Sequence, residues 1–230
     1  MFKGEFTKFY TWFLRNKYIF THMSNLAKQL SKYMPESAAP TIAKWIVDYR
    51  CVFKVSRSRS SKLGDYTAPR KGYPHRISVN HNLNPYAFLI TTVHEFAHLV
   101  AYEKFGRAIQ PHGEEWKNTF RELMTPFFKL DIFPKDLAAA LTEYLINPAA
   151  SSYSDLNLAR ILRSYDKEQE GKFIECIPEG SYFQISTGRV FQKLNKLRKR
   201  YKCVEISSKR VYLFHPLAEV QIIQDIKTRQ

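Results

Sequence analysis

Residues 84–106 predict a helix that has to be buried, and this prediction organises the rest of the fold. Asn84 is a good N-cap, Pro85 suits the first helical position, and Gly106 is a residue at which a helix can end. Between these ends the segment is apolar on nearly every side. A helix that is apolar all round belongs in a core, so the neighbouring elements must pack around it.

The predicted buried helix contains the pattern HExxH, at His94, Glu95 and His98. Residues four apart lie on one face of a helix, so both imidazoles can reach a single zinc ion. Glu95 is rotated by about 100° from His94, so its carboxylate can take a proton from a water at the metal without being a ligand. The alternative is two core histidines satisfied by hydrogen bonds. We favour a metal because such polar groups are costly to bury unpartnered in an apolar helix.

A catalytic zinc site needs a third protein ligand and one open position. The compact pattern HExxHxxGxxH is absent, because Ala101 and Lys104 stand where it requires glycine and histidine. We predict His112 as the third ligand, because it lies in a turn between two predicted helices and can fold back over the metal. The other downstream candidates are Glu114, Glu115 and Glu122. Glu122 is the main alternative, because its separation is usable by enzymes with a glutamate third ligand, although it falls in the middle of a predicted helix.

Hydrophobic spacing and turn residues predict the remaining elements of an α+β fold. The expected helices lie at 24–34, 39–50 and 114–130, after Pro134, and near 155–169. Strands are expected at 51–55 and 75–80, and short strands in the tail at 172–177, 182–186, 201–206 and 211–215.

These elements divide the chain into four stretches. We expect an accessory segment at 1–23, a zinc peptidase domain at 24–146, a linker and helix at 147–170, and a small β-rich module at 171–230. In the second stretch, helices should pack on a small sheet, with HExxH on the buried helix. The small polar residues that follow Asn147 indicate the linker.

The net charge of +15 is concentrated in two short stretches of the sequence. Segment 50–76 contains eight of the 36 Lys and Arg residues and segment 188–212 contains nine, with one acidic residue in each. Outside these segments basic and acidic residues balance. One interpretation is a pair of solvated loops that keep the surface soluble. The other, which we favour because the excess is local, is a footprint for phosphates.

Cysteine usage and hydropathy indicate in which cellular compartment the protein is expected. Cys51, Cys176 and Cys203 are few, odd in number and far apart, which argues against a secreted disulfide framework. No apolar run has the length of a membrane span, and the basic, aromatic N-terminal residues lack a signal-peptide pattern. We therefore expect a cytoplasmic monomer that has no membrane partner.

Three sequence blocks together resemble the SprT/Spartan family of zinc metallopeptidases, over about residues 24–145. They are Ile77-Ser-Val-Asn80 followed by Leu83, His94-Glu-Phe-Ala-His98, and His112-Gly-Glu-Glu-Trp116. HExxH occurs in many peptidases, whereas the distal His-Gly-x-x-Trp is the part of the pattern that narrows the resemblance to this family. The resemblance implies a zincin-like fold, one zinc ion per chain on the three histidines, and cleavage of proteins that are bound to DNA.

The C-terminal part departs from the family pattern, in which a zinc ribbon with two cysteine hairpins is common. Tyr201-Lys-Cys203 resembles one hairpin, but Ile206 stands where a second cysteine is expected, and residues 182–185 contain none. Cys176 and Cys203 cannot make a four-ligand structural site by themselves. We therefore expect a module that keeps the strands of a ribbon and holds no metal.

The leading hypothesis is a zinc-dependent endopeptidase that acts on proteins associated with DNA, with Glu95 as the general base. Non-sequence-specific contacts to DNA phosphates are expected from one basic run. Its residues are Lys193, Lys196, Arg198, Lys199, Arg200 and Lys202. The alternatives are a nucleic-acid-binding regulatory protein whose zinc site is structural, and a zinc hydrolase with a non-protein substrate. Glu95 argues against the first, because a structural site needs no base.

Overall fold

The computed structural model describes residues 21–59, 61–149, 155–166 and 171–223, which divide into two units between Tyr165 and Asp166. The predicted accessory segment at 1–23 lies outside the described residues, except that 21–23 are helical. No helix in the described ranges is long and apolar enough to cross a membrane.

The helices of the first unit lie close to their predicted positions. They are α1 (21–30), α2 (Ala39–Asp48), α3 (Pro85–Phe105), α4 (Glu114–Lys129), α5 (Lys135–Ile146) and α6 (Leu156–Ser164). A short 3₁₀ turn, Glu36–Ala38, leads into α2. Helix α6, predicted as part of a linker segment, buries Leu158 and Leu162 in the core of this unit.

A three-stranded sheet accompanies these helices, in the order β1-β3-β2. The strands are β1 (Val52–Ser56), β2 (Gly64–Thr67) and β3 (Arg76–Asn80). Strand β3 pairs in parallel with β1 and antiparallel with β2. Strands β1 and β3 were predicted from the sequence. Strand β2 was not, because it lies inside the stretch that was interpreted as a basic, glycine-containing connection.

Helix α3 lies at the centre of the first core, as its apolar sequence predicts. The Asn84 side chain accepts a hydrogen bond of 2.9 Å from the backbone N–H of Ala87, and Gly106 ends the helix with a φ of 79°. Phe88 and Phe96 are fully buried, and the ring of Phe53 on β1 stacks on Phe96. The helix packs against β2, β3 and α4, and this packing fixes the direction in which its histidines point.

The second unit is a six-stranded antiparallel sheet, in the order β4-β9-β5-β6-β7-β8. The strands are β4 (Lys172–Phe173), β5 (Tyr182–Gln184), β6 (Val190–Lys196), β7 (Tyr201–Glu205), β8 (Val211–Phe214) and β9 (Glu219–Ile223). The strand predicted at 172–177 is limited to two residues, because Ile174–Cys176 turns as a 3₁₀ helix. Strands β6 and β9 were not predicted. The sheet packs around a small core that contains Phe183, Phe191 and Cys203.

Candidate metal centre and active-site cleft

Three histidine side chains converge at one point of the first unit. The Nε2 atom of His94 lies 3.1 Å from that of His112 and 3.3 Å from that of His98, and the His98 and His112 Nε2 atoms are 3.0 Å apart. His94 and His98 reach this point from adjacent turns of α3, whereas His112 reaches it from the connection between α3 and α4. Among the described residues, this is the group of histidine, cysteine and acidic side chains that could hold a metal ion.

The spacing of the three nitrogens fits a tetrahedral ion. Nitrogens at 2.0–2.1 Å from a common zinc ion in tetrahedral geometry lie about 3.3 Å from one another. Three Nε2 atoms in a triangle cannot all donate well-aligned hydrogen bonds to one another. We therefore infer that their lone pairs face a shared centre. Burial lowers the pKa of His94 to about 2 and of His98 to about 4, helped by neighbouring imidazoles, and it also lowers the pKa of His112. Neutral imidazoles are the form that binds metals.

A tight turn places His112. The backbone N–H of Gly113 donates to the carbonyl of Gln110 at 2.9 Å, with Pro111 as the second residue of the turn and His112, at a φ of 62°, as the third. Proline at the second position and a positive φ at the third are the marks of a type II turn. That third position usually holds glycine or asparagine. The chain therefore accepts local backbone strain in order to present an imidazole there.

Trp116 supports the three imidazoles. It is fully buried, and its ring centroid lies 4.6 Å from that of His94, 5.3 Å from that of His98 and 4.7 Å from that of His112. The indole also stacks on Phe120, at 5.1 Å between ring centroids. Because one rigid ring touches all three imidazoles, the His-Gly-x-x-Trp block has a direct structural purpose. It starts α4 and supplies one wall of the site.

Glu95 follows His94 on α3 and is not part of the histidine triangle. Its side chain is buried, and the backbone N–H of Tyr66 on β2 is near enough to its carboxylate to lower the pKa. Burial, with a contribution from Asp65, raises the pKa of Glu95 to about 8, while Arg59, Lys62 and the Tyr66 N–H oppose the rise. A bound cation would favour the carboxylate form further. The group is thus a carboxylate that can exchange a proton near neutral pH.

The histidines and Glu95 open into a cleft of about 590 Å³. Residues of β2, of the following loop and of the α3–α4 connection complete its walls, among them Tyr66, Arg70 and Arg107. The Tyr66 hydroxyl lies 2.9 Å from Nδ1 of His75, whose Nε2 lies 3.0 Å from Glu103. The sequence analysis missed the β2 residues and this chain of hydrogen bonds. The Gly64–Thr67 stretch contains no motif that would have identified them.

Two further polar residues, Glu122 and Tyr102, are not part of the histidine triangle. The Glu122 carboxylate accepts a hydrogen bond of 2.9 Å from Nζ of Lys104 at the surface, so the alternative third ligand is not directed at the histidines. The Tyr102 hydroxyl accepts from Nε of Arg107 at 3.0 Å and lines the cleft beyond His98.

The six basic residues predicted to contact DNA do not share one environment. Arg198, Lys199 and Arg200 are exposed at the connection between β6 and β7, Lys196 is exposed at the end of β6, and Lys202 is half-buried. Lys193 is a correction to the prediction. It is 4% exposed, and its Nζ donates to the carbonyl of Ile177 at 2.5 Å. Alternation along β6 places Lys193 on the same face as the buried Phe191, so its ammonium group is not available to a phosphate.

Comparison with known proteins gives a family match within the first unit. Residues 41–136 match the model of the SprT-like family. A 31-residue stretch is 58% identical to Protein SprT of Pseudomonas fluorescens (strain SBW25), covering 14% of this chain and 19% of that protein. A 35-residue stretch is 63% identical to Protein SprT of Pseudomonas syringae pv. tomato, covering 15% of this chain and 21% of that protein. The matches thus span about a fifth of the relatives' length.

No solved structure matches the chain. The family match contains the whole of α3, the turn with His112 and the whole of α4, and it falls within the range over which the sequence blocks resemble SprT/Spartan proteins. That resemblance is therefore confirmed. Residues 41–136, which include His94, Glu95, His98 and His112, form a SprT-like domain.

Proposed function

We propose that the first unit is a zincin-like, zinc-dependent endopeptidase. The observation that carries this proposal is the convergence of three Nε2 atoms within 3.0–3.3 Å at the floor of an open cleft, with the Glu95 carboxylate beside them. His94, His98 and His112 would hold one zinc ion per chain. When bound, zinc supplies a Lewis acid that polarises a carbonyl and makes water acidic enough to lose a proton near pH 7.

Glu95 has the environment of a general base. Its side chain lies against β2, near the Tyr66 N–H, and lines the same cleft as the three imidazoles. It can accept a proton from the attacking water and return it to the leaving amine, as a carboxyl group whose pKa is close to neutral is able to do. Trp116 holds the imidazole rings in place while this proton moves.

Two features favour this proposal over the alternatives. Structural zinc sites are closed by four protein ligands, whereas this group offers three histidines and opens into a cleft of about 590 Å³. The wall of the cleft is β2, which lies at the edge of its sheet within the described residues. An edge strand can pair with an extended peptide through backbone hydrogen bonds, which favours a protein substrate over a small ester or amide.

The substrate class can be tested directly. Zinc-loaded protein should cleave casein and a DNA-bound protein, and a chelator should stop both reactions because the three histidines then hold no ion. Each reaction is measured with and without DNA. If neither protein is cleaved but small esters are hydrolysed, the chain is a zinc hydrolase of another class. If nothing is hydrolysed and only DNA is bound, the regulatory alternative is favoured.

We further propose that the substrate is associated with DNA and that the exposed β6–β7 connection contacts phosphates without sequence specificity. Replacing Arg198, Lys199 and Arg200 by alanine should weaken binding to every DNA sequence alike. It should also flatten the salt dependence, because log K falls by about 0.7–0.9 per phosphate contact for each tenfold rise in salt. Fluorescence anisotropy over a range of salt concentrations measures both effects.

A matched triple variant controls for the change in net charge. Lys28, Lys129 and Lys135 are exposed lysines of the first unit, and replacing them removes the same charge. This control should keep most of the affinity and the salt slope. Equal losses in the two triple variants would mean that the total charge, and not the β6–β7 connection, attracts DNA.

A further inference from the structure

Gly64 on β2 lies against the side chain of Glu95. A Cβ atom at position 64 would lie 2.5 Å from Oε1 of Glu95, 2.8 Å from its Cγ, and 2.8 Å from Cγ2 of Thr91. Real Cβ contacts are essentially never shorter than 3.0 Å, so an added methyl group would force a shift. Gly64 is not among the glycines with positive φ, so its backbone conformation is open to any residue. Position 64 requires glycine because there is no room beside Glu95 for a Cβ atom.

The same strand holds Glu95 from a second direction. Two residues beyond Gly64, the backbone N–H of Tyr66 is near enough to the Glu95 carboxylate to lower its pKa. Glu95 is 7% exposed, so the carboxyl group is enclosed between β2 and its own helix. The position of the carboxylate therefore depends on how closely β2 approaches α3, and the missing side chain at position 64 permits that approach.

We propose that Gly64 is a positioning residue for Glu95: its lack of a side chain lets β2 seat the carboxylate against the Tyr66 amide, facing the cleft. The catalytic part of this inference rests on the proposed peptidase function, whereas the contact itself does not. The structure could accommodate an alanine at position 64 in two ways. Either Glu95 turns away from the Tyr66 N–H, or β2 moves outward and widens the cleft.

Both outcomes would displace the base and leave the metal ligands in place. A general base has to lie within about 3 Å of the proton that it accepts. A misplacement of about 1 Å can lower a rate by about 10²-fold. The three heavy atoms nearest to a Cβ at position 64 belong to Glu95 and Thr91, and none belongs to His94, His98 or His112. Gly64→Ala should therefore lower kcat by about 10–100-fold with little change in KM, while zinc affinity, measured by competition with a chelator, stays within threefold of the wild-type value.

The contact is tested without any reference to activity by a double-mutant cycle on thermal stability. The zinc-loaded variants are Gly64→Ala, Glu95→Ala and Gly64→Ala/Glu95→Ala. In the Glu95 background the methyl group overpacks the site and should lower Tm by about 3–10 °C. In the Glu95→Ala background both close contacts with Glu95 are removed and only the contact with Cγ2 of Thr91 remains, so the loss of Tm should be clearly smaller. If Gly64→Ala does not fold at all, folding of the double variant supports the same contact.

Kinetics then separate the two parts of the inference. Thr142→Ala, at an exposed position on α5 outside the cleft, is the control and should keep wild-type kcat and Tm. The inference is overturned if Gly64→Ala lowers Tm equally in both backgrounds, or if it folds and cleaves substrate at the wild-type rate. If the proposed peptidase function is wrong, the measurements give a different pattern. Wild type would then be inactive, while the stability cycle would still report the contact between positions 64 and 95.

Discussion

Replacing Glu95 by glutamine should abolish most hydrolysis while the protein keeps its zinc and its fold. The amide cannot accept a proton, so kcat should fall by about 10²–10⁴-fold, the usual contribution of a general base. Glutamine has nearly the same shape as glutamate, and its carbonyl oxygen can still accept a hydrogen bond, so the fold should be kept. Glu95 is not one of the three converging ligands, so zinc content should stay at one per chain. Initial rates on casein, elemental analysis and thermal unfolding measure the three quantities.

A second carboxylate-to-amide change provides the control. Glu143 is exposed on α5, and Glu143→Gln should keep the wild-type rate because this residue lies outside the cleft. A Glu95→Gln protein that cleaves casein as fast as the wild type would contradict the assignment of Glu95 as the base. Loss of zinc in the same variant would contradict its exclusion from the ligand set.

Removing any one of His94, His98 and His112 should cost the protein its zinc. With two of three imidazoles left, the site lacks the coordination that zinc requires, so His→Ala variants should retain well below one equivalent after dialysis. Zinc at 100 times its dissociation constant stabilises a folded protein by about 2.7 kcal/mol, and the variants should lose this increment. Metal analysis, and unfolding with and without chelator, test both expectations.

The Glu122→Ala variant discriminates between the two candidate third ligands. The carboxylate of Glu122 binds Lys104 at the surface, and an exposed ion pair contributes about 1 kcal/mol at most. This variant should therefore keep its zinc and nearly all of its stability. Full zinc in His112→Ala together with loss of zinc in Glu122→Ala would overturn the assignment of His112.

Features with strong local signals were predictable from the sequence. The cap at Asn84, the proline after it and the stop at Gly106 bound α3 because caps act within a few residues. The four-residue spacing of His94 and His98 required only that this segment be helical. His112 could be proposed because it falls in a turn between two helices. The turn type that brings it to the metal involves a positive φ that few non-glycine residues adopt, and this was not predictable.

Features that depend on distant partners were missed. Strand β2 has four residues, begins with glycine and shows no alternation of apolar side chains, so it is a strand only because β3 lies beside it. Its role next to Glu95 comes from that pairing. The position of Lys193 was mispredicted for a related reason. A run of basic residues suggests an exposed surface. The alternation of side chains along β6, however, places this one lysine on the same buried face of the sheet as Phe191.

The type II turn at Pro111 and His112 gives the site a further property. The left-handed conformation costs a non-glycine residue about 1–2 kcal/mol, so we expect His112 to adopt it for only part of the time before an ion binds. Metal binding then selects the competent fraction, and the observed dissociation constant equals the intrinsic one divided by that fraction. Pro111 restricts the turn before the ion arrives. Pro111→Ala should therefore weaken zinc binding severalfold in a chelator competition, so metal affinity is set in part by a residue that never touches the metal.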